Sequence, residues 1–300
     1  MQTPSELLPY RGPIVPFAYI GDSHAGAIGW HLFEDPRGGP HITTNVVPIW
    51  RFVAADALDE QGRIGESLIT ALRRSGAFRT VLDAPQLAGF PSAMITYGRE
   101  KKAEHYVLNA AANDAPYVLC IGEINTRYLL HWLVQDGIDF DLPFPAPELD
   151  ALDASYPVRA RFRADQMMKV LAEEFAPLFR ALRMLREAGL KSLFLHSIPP
   201  PAVDDADAER VLKHPSPVRL RYKLARYVNF LYANVCRELG VGFIDMWPLV
   251  TKDGVLDPAF YLDGLHLNIE HSKRSVSEVY RQLAALRAGY PQEPAGTAQP

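Results

Sequence analysis

Three short polar clusters in this 300-residue chain carry residue types that can do chemistry together. The first is Gly21-Asp22-Ser23-His24, which follows an apolar run and precedes the helix-like stretch AGAIGWHLF. A serine at a strand-to-helix turn stands at the carboxyl end of a sheet, where α/β sites form. The helix start behind it offers unpaired N–H groups and the positive end of a dipole, both suited to an oxyanion. Asp22 and Ser23 are also ordinary helix N-caps. The second cluster is Asp263-Gly264-Leu265-His266. A serine hydroxyl is a poor nucleophile until a base takes its proton, and histidine suits that task near neutral pH. A carboxylate nearby fixes the imidazole tautomer and stabilises the imidazolium that forms. Read alone, the pair also fits a loop aspartate and a histidine at a helix start. The third cluster is Gly122-Glu123-Ile124-Asn125-Thr126-Arg127. Asn125 is a candidate donor to an oxyanion and Arg127 a candidate holder of an anionic or sugar substrate. A turn asparagine and a surface arginine account for them equally well.

These clusters need a scaffold that brings them to one place. Continuous apolar runs at 14–20, 43–50, 117–121, 192–198 and 241–246 read as buried parallel strands, apolar on both faces. Helical patterns at 161–188, 218–239 and 275–288 separate or follow them, each ending at a glycine (Gly189, Gly240, Gly289). Shorter helical patterns cover 66–74 and 100–112. Strands alternating with helices predict an α/β fold with a parallel sheet. Each cluster then follows a strand or closes the last strand-to-helix step, so all three fall at the same sheet edge. Two stretches break the rhythm, 52–97 and 136–160, and read as insertions or lid loops. The second carries LPFPAPELD, too rich in proline for helix or interior strand. Residues 1–288 read as one domain and 289–300 as a disordered tail.

Composition narrows the function. The formal net charge is −4, from 31 basic and 35 acidic residues, so no basic field is available to hold nucleic acid. Two cysteines, Cys120 and Cys236, do not make a disulfide framework and read as buried, inert thiols. The first residues lack a basic stretch followed by a long apolar core, and no window approaches a membrane span, which predicts a cytoplasmic protein. The remaining histidines, His31, His41, His105, His131, His196, His214 and His271, lack metal-ligand spacing, so no metal and no cofactor are expected. His24 reads chiefly as a solvent-facing residue on the first helical turn. Trp50, Trp132 and Trp247 read as core or pocket wall. Homo-oligomerisation is left open.

The first and last clusters together resemble the blocks of the SGNH hydrolase superfamily, the GDSL-like lipases and esterases. Gly21-Asp22-Ser23 resembles its first block, and Asp263-Gly264-Leu265-His266-Leu267-Asn268 its last. The stretch GVGFIDMWPLVTKDGVLDPAFYLDGLHLN resembles the closing strand and loop, and SIPPP the preceding strand end. The resemblance implies a three-layer α/β/α sandwich around a five-stranded, mostly parallel, flavodoxin-like sheet. It implies Ser23, His266 and Asp263 as a catalytic triad acting through an acyl-enzyme. For the oxyanion hole it implies the N–H of Ser23, a glycine N–H and an asparagine. Gly98 is preferred for the glycine because a helical pattern at 100–112 follows it; Gly65 is the other candidate. Asn125 stands one place later than the family's usual Gly-x-Asn-Asp. Gly122-Glu123-Ile124-Asn125 is similar to a Gly-Glu-Ile-Asp variant of polysaccharide-associated members, and Gly-Asp-Ser-His to the serine block of domains attached to sugar O-acyltransferases. The implied substrate is a small-molecule or glycan ester, with acetyl a candidate acyl group. Asp22, His24, Glu123 and Arg127 are the candidate substrate-binding residues. A sugar O-acyltransferase and a non-catalytic binding module are the alternatives. The Gly-x-Ser-x-Gly elbow of the α/β-hydrolase fold is absent around Ser23.

Overall fold

Every apolar run expected to be a strand contributes one to a single central sheet. The computed structural model describes residues 17–29, 44–81, 94–99, 102–109, 115–153, 156–263 and 266–289. The elements of the first half are β1 (Phe17–Gly21), α1 (Ser23–Gly29), β2 (Thr44–Pro48), α2 (Glu66–Arg74), β3 (Phe78–Val81), β4 (Met94–Arg99), β5 (Lys102–Leu108), β6 (Tyr117–Cys120) and α3 (Glu123–Asp136). Then come β7 (Ile138–Phe140), β8 (Ala160–Phe162), α4 (Ala164–Glu187), β9 (Leu193–His196), α5 (Asp205–Leu212) and α6 (Val218–Leu239). The chain closes with β10 (Gly242–Ile244), α7 (Trp247–Val250), β11 (Thr251–Lys252), β12 (Val255–Leu256) and α8 (Ile269–Gly289). His31, His41, the tail beyond Gly289 and the start of the first apolar run lie outside the described residues.

The central sheet has the order β10-β9-β6-β1-β2, and every neighbouring pair is parallel. Numbered by chain order, this is the 2-1-3-4-5 arrangement of a flavodoxin-like, doubly wound sheet. Its strands are mostly apolar because both faces are covered. Tyr117, Leu119, Leu193 and Leu195 point into one core with α3, α4 and α6. Val118, Cys120 and Phe194 point into the other with α1 and α8. The three-layer α/β/α expectation is therefore met. Winding reverses between β1 and β6, so the crevice for a ligand opens at the carboxyl ends of those two strands. They approach closely there. A Cβ on Gly21 would lie 1.9 Å from the Cys120 carbonyl oxygen.

The two irregular stretches build small sheets. After α2, which forms as expected, β3, β5 and β4 make an antiparallel sheet in that order. The helical pattern at 100–112 is thereby overturned: Lys102–Leu108 is the central strand of this sheet, and long-range pairing outweighs local propensity. In the second stretch β7 and β8 pair in parallel. It docks on α6: Lys223 Nζ meets Asp139 Oδ1 at 2.5 Å and the Phe140 carbonyl at 2.6 Å, and the Phe144 and Phe230 rings lie 5.4 Å apart. Both cysteines are buried, and burial pushes their thiols up, that of Cys236 to about 12. Among the described residues, no helix is long and apolar enough to cross a membrane.

Candidate active site

Ser23 opens α1 directly after β1, half-buried at the carboxyl edge of the sheet. Asp22, not Ser23, does the capping: its Oδ1 accepts the His24 N–H at 2.9 Å. That leaves the serine hydroxyl for chemistry and places the first N–H groups of α1 beside it.

Asp263 and His266 close a tight loop. The His266 N–H donates to Asp263 Oδ1 at 2.8 Å, and His266 Nδ1 lies 2.8 Å from Oδ2. The Leu262 N–H donates to the His266 carbonyl at 2.9 Å. Asn268 completes the loop, donating to the Ala259 carbonyl and accepting the Glu270 N–H at the start of α8. A proton on Nδ1, directed to Asp263, leaves Nε2 as the basic nitrogen; this tautomer is assigned from the hydrogen bond. The His266 ring centroid lies 5.7 Å from that of His24, the residue after Ser23. That one contact joins clusters separated by most of the chain.

The third cluster joins them too, but not as expected. Glu123, at the start of α3, accepts from Arg127 Nε at 2.7 Å, and its Oε2 lies 2.6 Å from Arg127 Nη2 and 3.6 Å from His24 Nε2. The last distance is an ion-pair separation and not a hydrogen bond. Burial works against charge on all three acidic and imidazole groups here. At Glu123 the His24 and Arg127 cations outweigh it and hold the carboxyl at about 2. At His24 the Glu123 and Asp22 carboxylates outweigh it and raise the imidazole above its ordinary value. At Asp22 burial wins, and the carboxyl lies above the usual range despite His24. His24 is therefore not the solvent-facing residue expected: it is 4% exposed. No sequence signal pointed to the partner of His24, because Glu123 is distant in the chain.

Asn125 is turned away from the site. It is fully buried, its Oδ1 accepts the Ala54 N–H at 3.0 Å, and its Nδ2 donates to Glu174. Its amide ties α3 to the Ala54–Ala57 turn and to α4, so the structure does not bring it to an oxyanion. Gly98 sits in β4, paired with Ala103, and lacks the following helix that recommended it. The Gly65 N–H is taken by the Ala57 carbonyl at 2.8 Å. Gly264 and Leu265 lie outside the described residues.

No known family profile matches the chain, and no curated protein sequence does. Solved structures are similar to it at low identity over most of its length. One, from Streptococcus pneumonia, is inferred to be a platelet activating factor: it shares 14% identity over 91% of this chain and 86% of its own, with a TM-score of 0.47. An aryl esterase from M. smegmatis shares 14% identity over 90% and 99%, with a TM-score of 0.40. A GDSL-like lipase from Bacteroides thetaiotaomicron shares 12% over 92% and 89%, with a TM-score of 0.38. At these scores the likenesses carry no assignment of activity; that rests on the side chains above.

Beside the polar cluster lies a pocket that sequence reasoning missed. His24, Glu123 and Arg127 form one end, and Ile198, Pro199–Pro201, Leu212, Leu256 and Tyr261 contribute to its walls. No residue of the 136–160 stretch lines it, so the lid reading of that stretch is corrected. Two buried side chains fix the wall at Ile198. Asn229 accepts its N–H at 2.7 Å and donates to its carbonyl at 2.9 Å, and the Trp247 indole donates to the same carbonyl at 2.8 Å. An asparagine on the apolar face of α6 was the available signal. Of the three tryptophans read as core or wall, Trp247 is buried, Trp132 packs partly buried against the core, and Trp50 is 67% exposed after β2.

Proposed function

We propose that this chain is a serine ester hydrolase of the SGNH (GDSL-like) kind, with Ser23 as nucleophile, His266 as base and Asp263 as its orienting carboxylate. The observation that carries the reading is the Asp263–His266 pair set against His24, and so beside Ser23, at the reversal point of a doubly wound sheet. His266 Nε2 takes the Ser23 hydroxyl proton while Ser23 Oγ attacks the ester carbonyl carbon. The oxyanion is met by the N–H groups that open α1, that of Ser23 first. The C–O bond to the alcohol breaks, and the leaving oxygen takes the proton from His266. Water, deprotonated by the same imidazole, then attacks the acyl-enzyme, releasing the acid and restoring Ser23.

Asp22, His24, Glu123 and Arg127 form the polar end of the substrate site. Both ring nitrogens of His24 are buried without an aligned hydrogen bond among the described residues, Nε2 having only its 3.6 Å ion-pair contact with Glu123. Such groups are costly when unpaired, and a hydroxyl-bearing substrate part would supply both donors and acceptors. The same feature favours a second reading, transfer of the acyl group to a sugar hydroxyl instead of water, through the same acyl-enzyme.

The deciding measurement is release of p-nitrophenol from p-nitrophenyl acetate, with fluorophosphonate labelling in parallel, for the wild type and Ser23→Ala. Turnover and labelling that vanish in Ser23→Ala are the expected result. Labelling without turnover, restored by a sugar acceptor, selects transfer. No labelling of Ser23 overturns both readings in favour of a binding module.

A further inference from the structure

An oxyanion at Ser23 is short of donors. Asn125 is turned inward, Gly98 is paired within β4, and the Gly65 N–H is taken by the Ala57 carbonyl. Of the donors the resemblance implies, the Ser23 N–H alone is left at the reacting centre among the described residues. Each missing donor is worth roughly 10²–10³ in kcat, so the reaction needs a substitute.

His24 is in place to supply it. It follows Ser23 in the chain, it is buried, and its ring lies 5.7 Å from that of His266. Both of its ring nitrogens are buried without an aligned acceptor among the described residues. Charge holds the ring there. Glu123 Oε2 lies 3.6 Å from Nε2, and Arg127 fixes that carboxylate through contacts at 2.7 and 2.6 Å. Burial opposes charge on the ring, but Glu123 and Asp22 outweigh burial and Arg127 together, and the imidazole lies above its ordinary value. Burial pushes His196 down to about 4 and His271 well below its ordinary value, so both neighbours are neutral near pH 7. Asp22 lines a small cavity behind the ring, whereas His24, Glu123 and Arg127 line the larger pocket. At the polar end of that pocket two cations therefore accompany one carboxylate.

We infer that His24, carried as an imidazolium beside Ser23, supplies the positive charge that stabilises the oxyanion in place of the absent asparagine and glycine donors. The inference rests on the serine hydrolase reading. As Ser23 Oγ bonds to the carbonyl carbon, its proton passes to His266 and the carbonyl π pair moves onto oxygen. That oxygen becomes an anion, and a cation buried beside it is screened little by water. Glu123 keeps the proton on His24 and Arg127 keeps Glu123 in place, so both are positioning residues.

The test uses the full chain as wild type, His24→Gln and Glu123→Gln, with p-nitrophenyl acetate as substrate and phenyl trifluoromethyl ketone as probe. Ser23 Oγ adds to the ketone carbonyl to give an anionic tetrahedral adduct, so ketone affinity reads oxyanion stabilisation directly. His24→Gln keeps an N–H donor and removes the charge. The expected result is a fall of about 10²-fold or more in kcat per folded molecule, with KM within about threefold and ketone affinity falling by about the same factor as kcat/KM. Glu123→Gln keeps the ring and releases its proton. The alkaline limb of kcat against pH, where His24 loses its charge, is expected to move to lower pH by about one unit or more, which a merely structural defect would not do. Should His24→Gln not fold, that profile decides. Where Ser23 labels with fluorophosphonate but no ester is turned over, ketone affinity decides. A kcat for His24→Gln within about fivefold of wild type, a lost kcat without lost ketone affinity, or an unmoved alkaline limb overturns the inference and leaves the hydrolase standing. A wild type that neither turns over ester nor labels Ser23 discards the hydrolase and the inference with it.

Discussion

Asn125 separates scaffold from chemistry at the scale of single residues. Replacing it with alanine strands the Ala54 N–H and removes a donor from Glu174, which costs about 1–3 kcal/mol of stability. A direct oxyanion donor would instead cost roughly 10²–10³ in kcat. We therefore expect Asn125→Ala to lower the denaturation midpoint while kcat per folded molecule changes by less than about fivefold, an effect too small for a lost oxyanion donor. Denaturant titration and kcat measured on one preparation decide it. The Asp–His pair gives the complementary prediction. His266→Ala removes the proposed base outright. Asp263→Asn keeps a side chain in place, and the loop bond from the Leu262 N–H to the His266 carbonyl still restrains the histidine. The expected loss in kcat/KM is larger for His266→Ala than for Asp263→Asn, as base and orienting group differ in other triads. Equal losses in ester hydrolysis would mean that Asp263 does more than orient.

The elements set the site through two close backbone approaches, and Gly122 is the sharper case. It has φ +112°, links β6 to α3, and a Cβ there would lie 2.0 Å from Tyr232 Oη. That hydroxyl donates to the Ile121 carbonyl at 2.9 Å, so it cannot swing away without loss. Gly122→Ala therefore combines strain with overpacking, about 2 kcal/mol or more of lost stability. In the double variant with Tyr232→Phe the obstructing oxygen is gone. Its thermal midpoint is expected above the sum of the two single losses, a coupling that strain at φ alone would not produce. α8 shows the converse, a helix start that organises the site: Asn268 holds its first turn and the Asp263–His266 loop together.

For the whole molecule, buried histidines set the response to acid. His196 is 3% exposed, with Nδ1 against the Ser197 carbonyl and Nε2 3.1 Å from Ser275 Oγ, and burial pushes it down to about 4. His271 is fully buried, 5.9 Å from the His196 ring, and lies well below its ordinary value for the same reason. A histidine depressed in the folded state binds its proton more readily when unfolded, near pH 6.5. Its contribution is complete above that pH and is lost as pH falls towards the folded value. From His196 alone the loss between about pH 6.5 and 4 is roughly 3 kcal/mol. His24 has the opposite sign. Its raised value stabilises below the unfolded pKa, and that contribution fades as pH rises through the folded one. The expected profile of unfolding free energy against pH falls steeply below about 6.5, and His196→Gln flattens that fall. An unchanged slope in His196→Gln would place the acid sensitivity elsewhere.

What the sequence determined by itself is what local chemistry can specify. Five apolar runs became five parallel strands, since a strand covered on both faces has no polar alternation to confuse it. The spacing of Asp263 and His266 was enough for their pairing, because three residues close one turn. Distant partners decided the rest. The pattern at 102–108 is helical until β3 and β4 flank it. Asn125 had the right type for an oxyanion, yet bonds across separations of 71 and 49 residues turn it inward. His24 reads as a surface residue until Glu123 arrives beside it. The pocket's walls come from α3, the β9–α6 segment, α6 and β12, so its size and apolar character exist only once those segments are packed together.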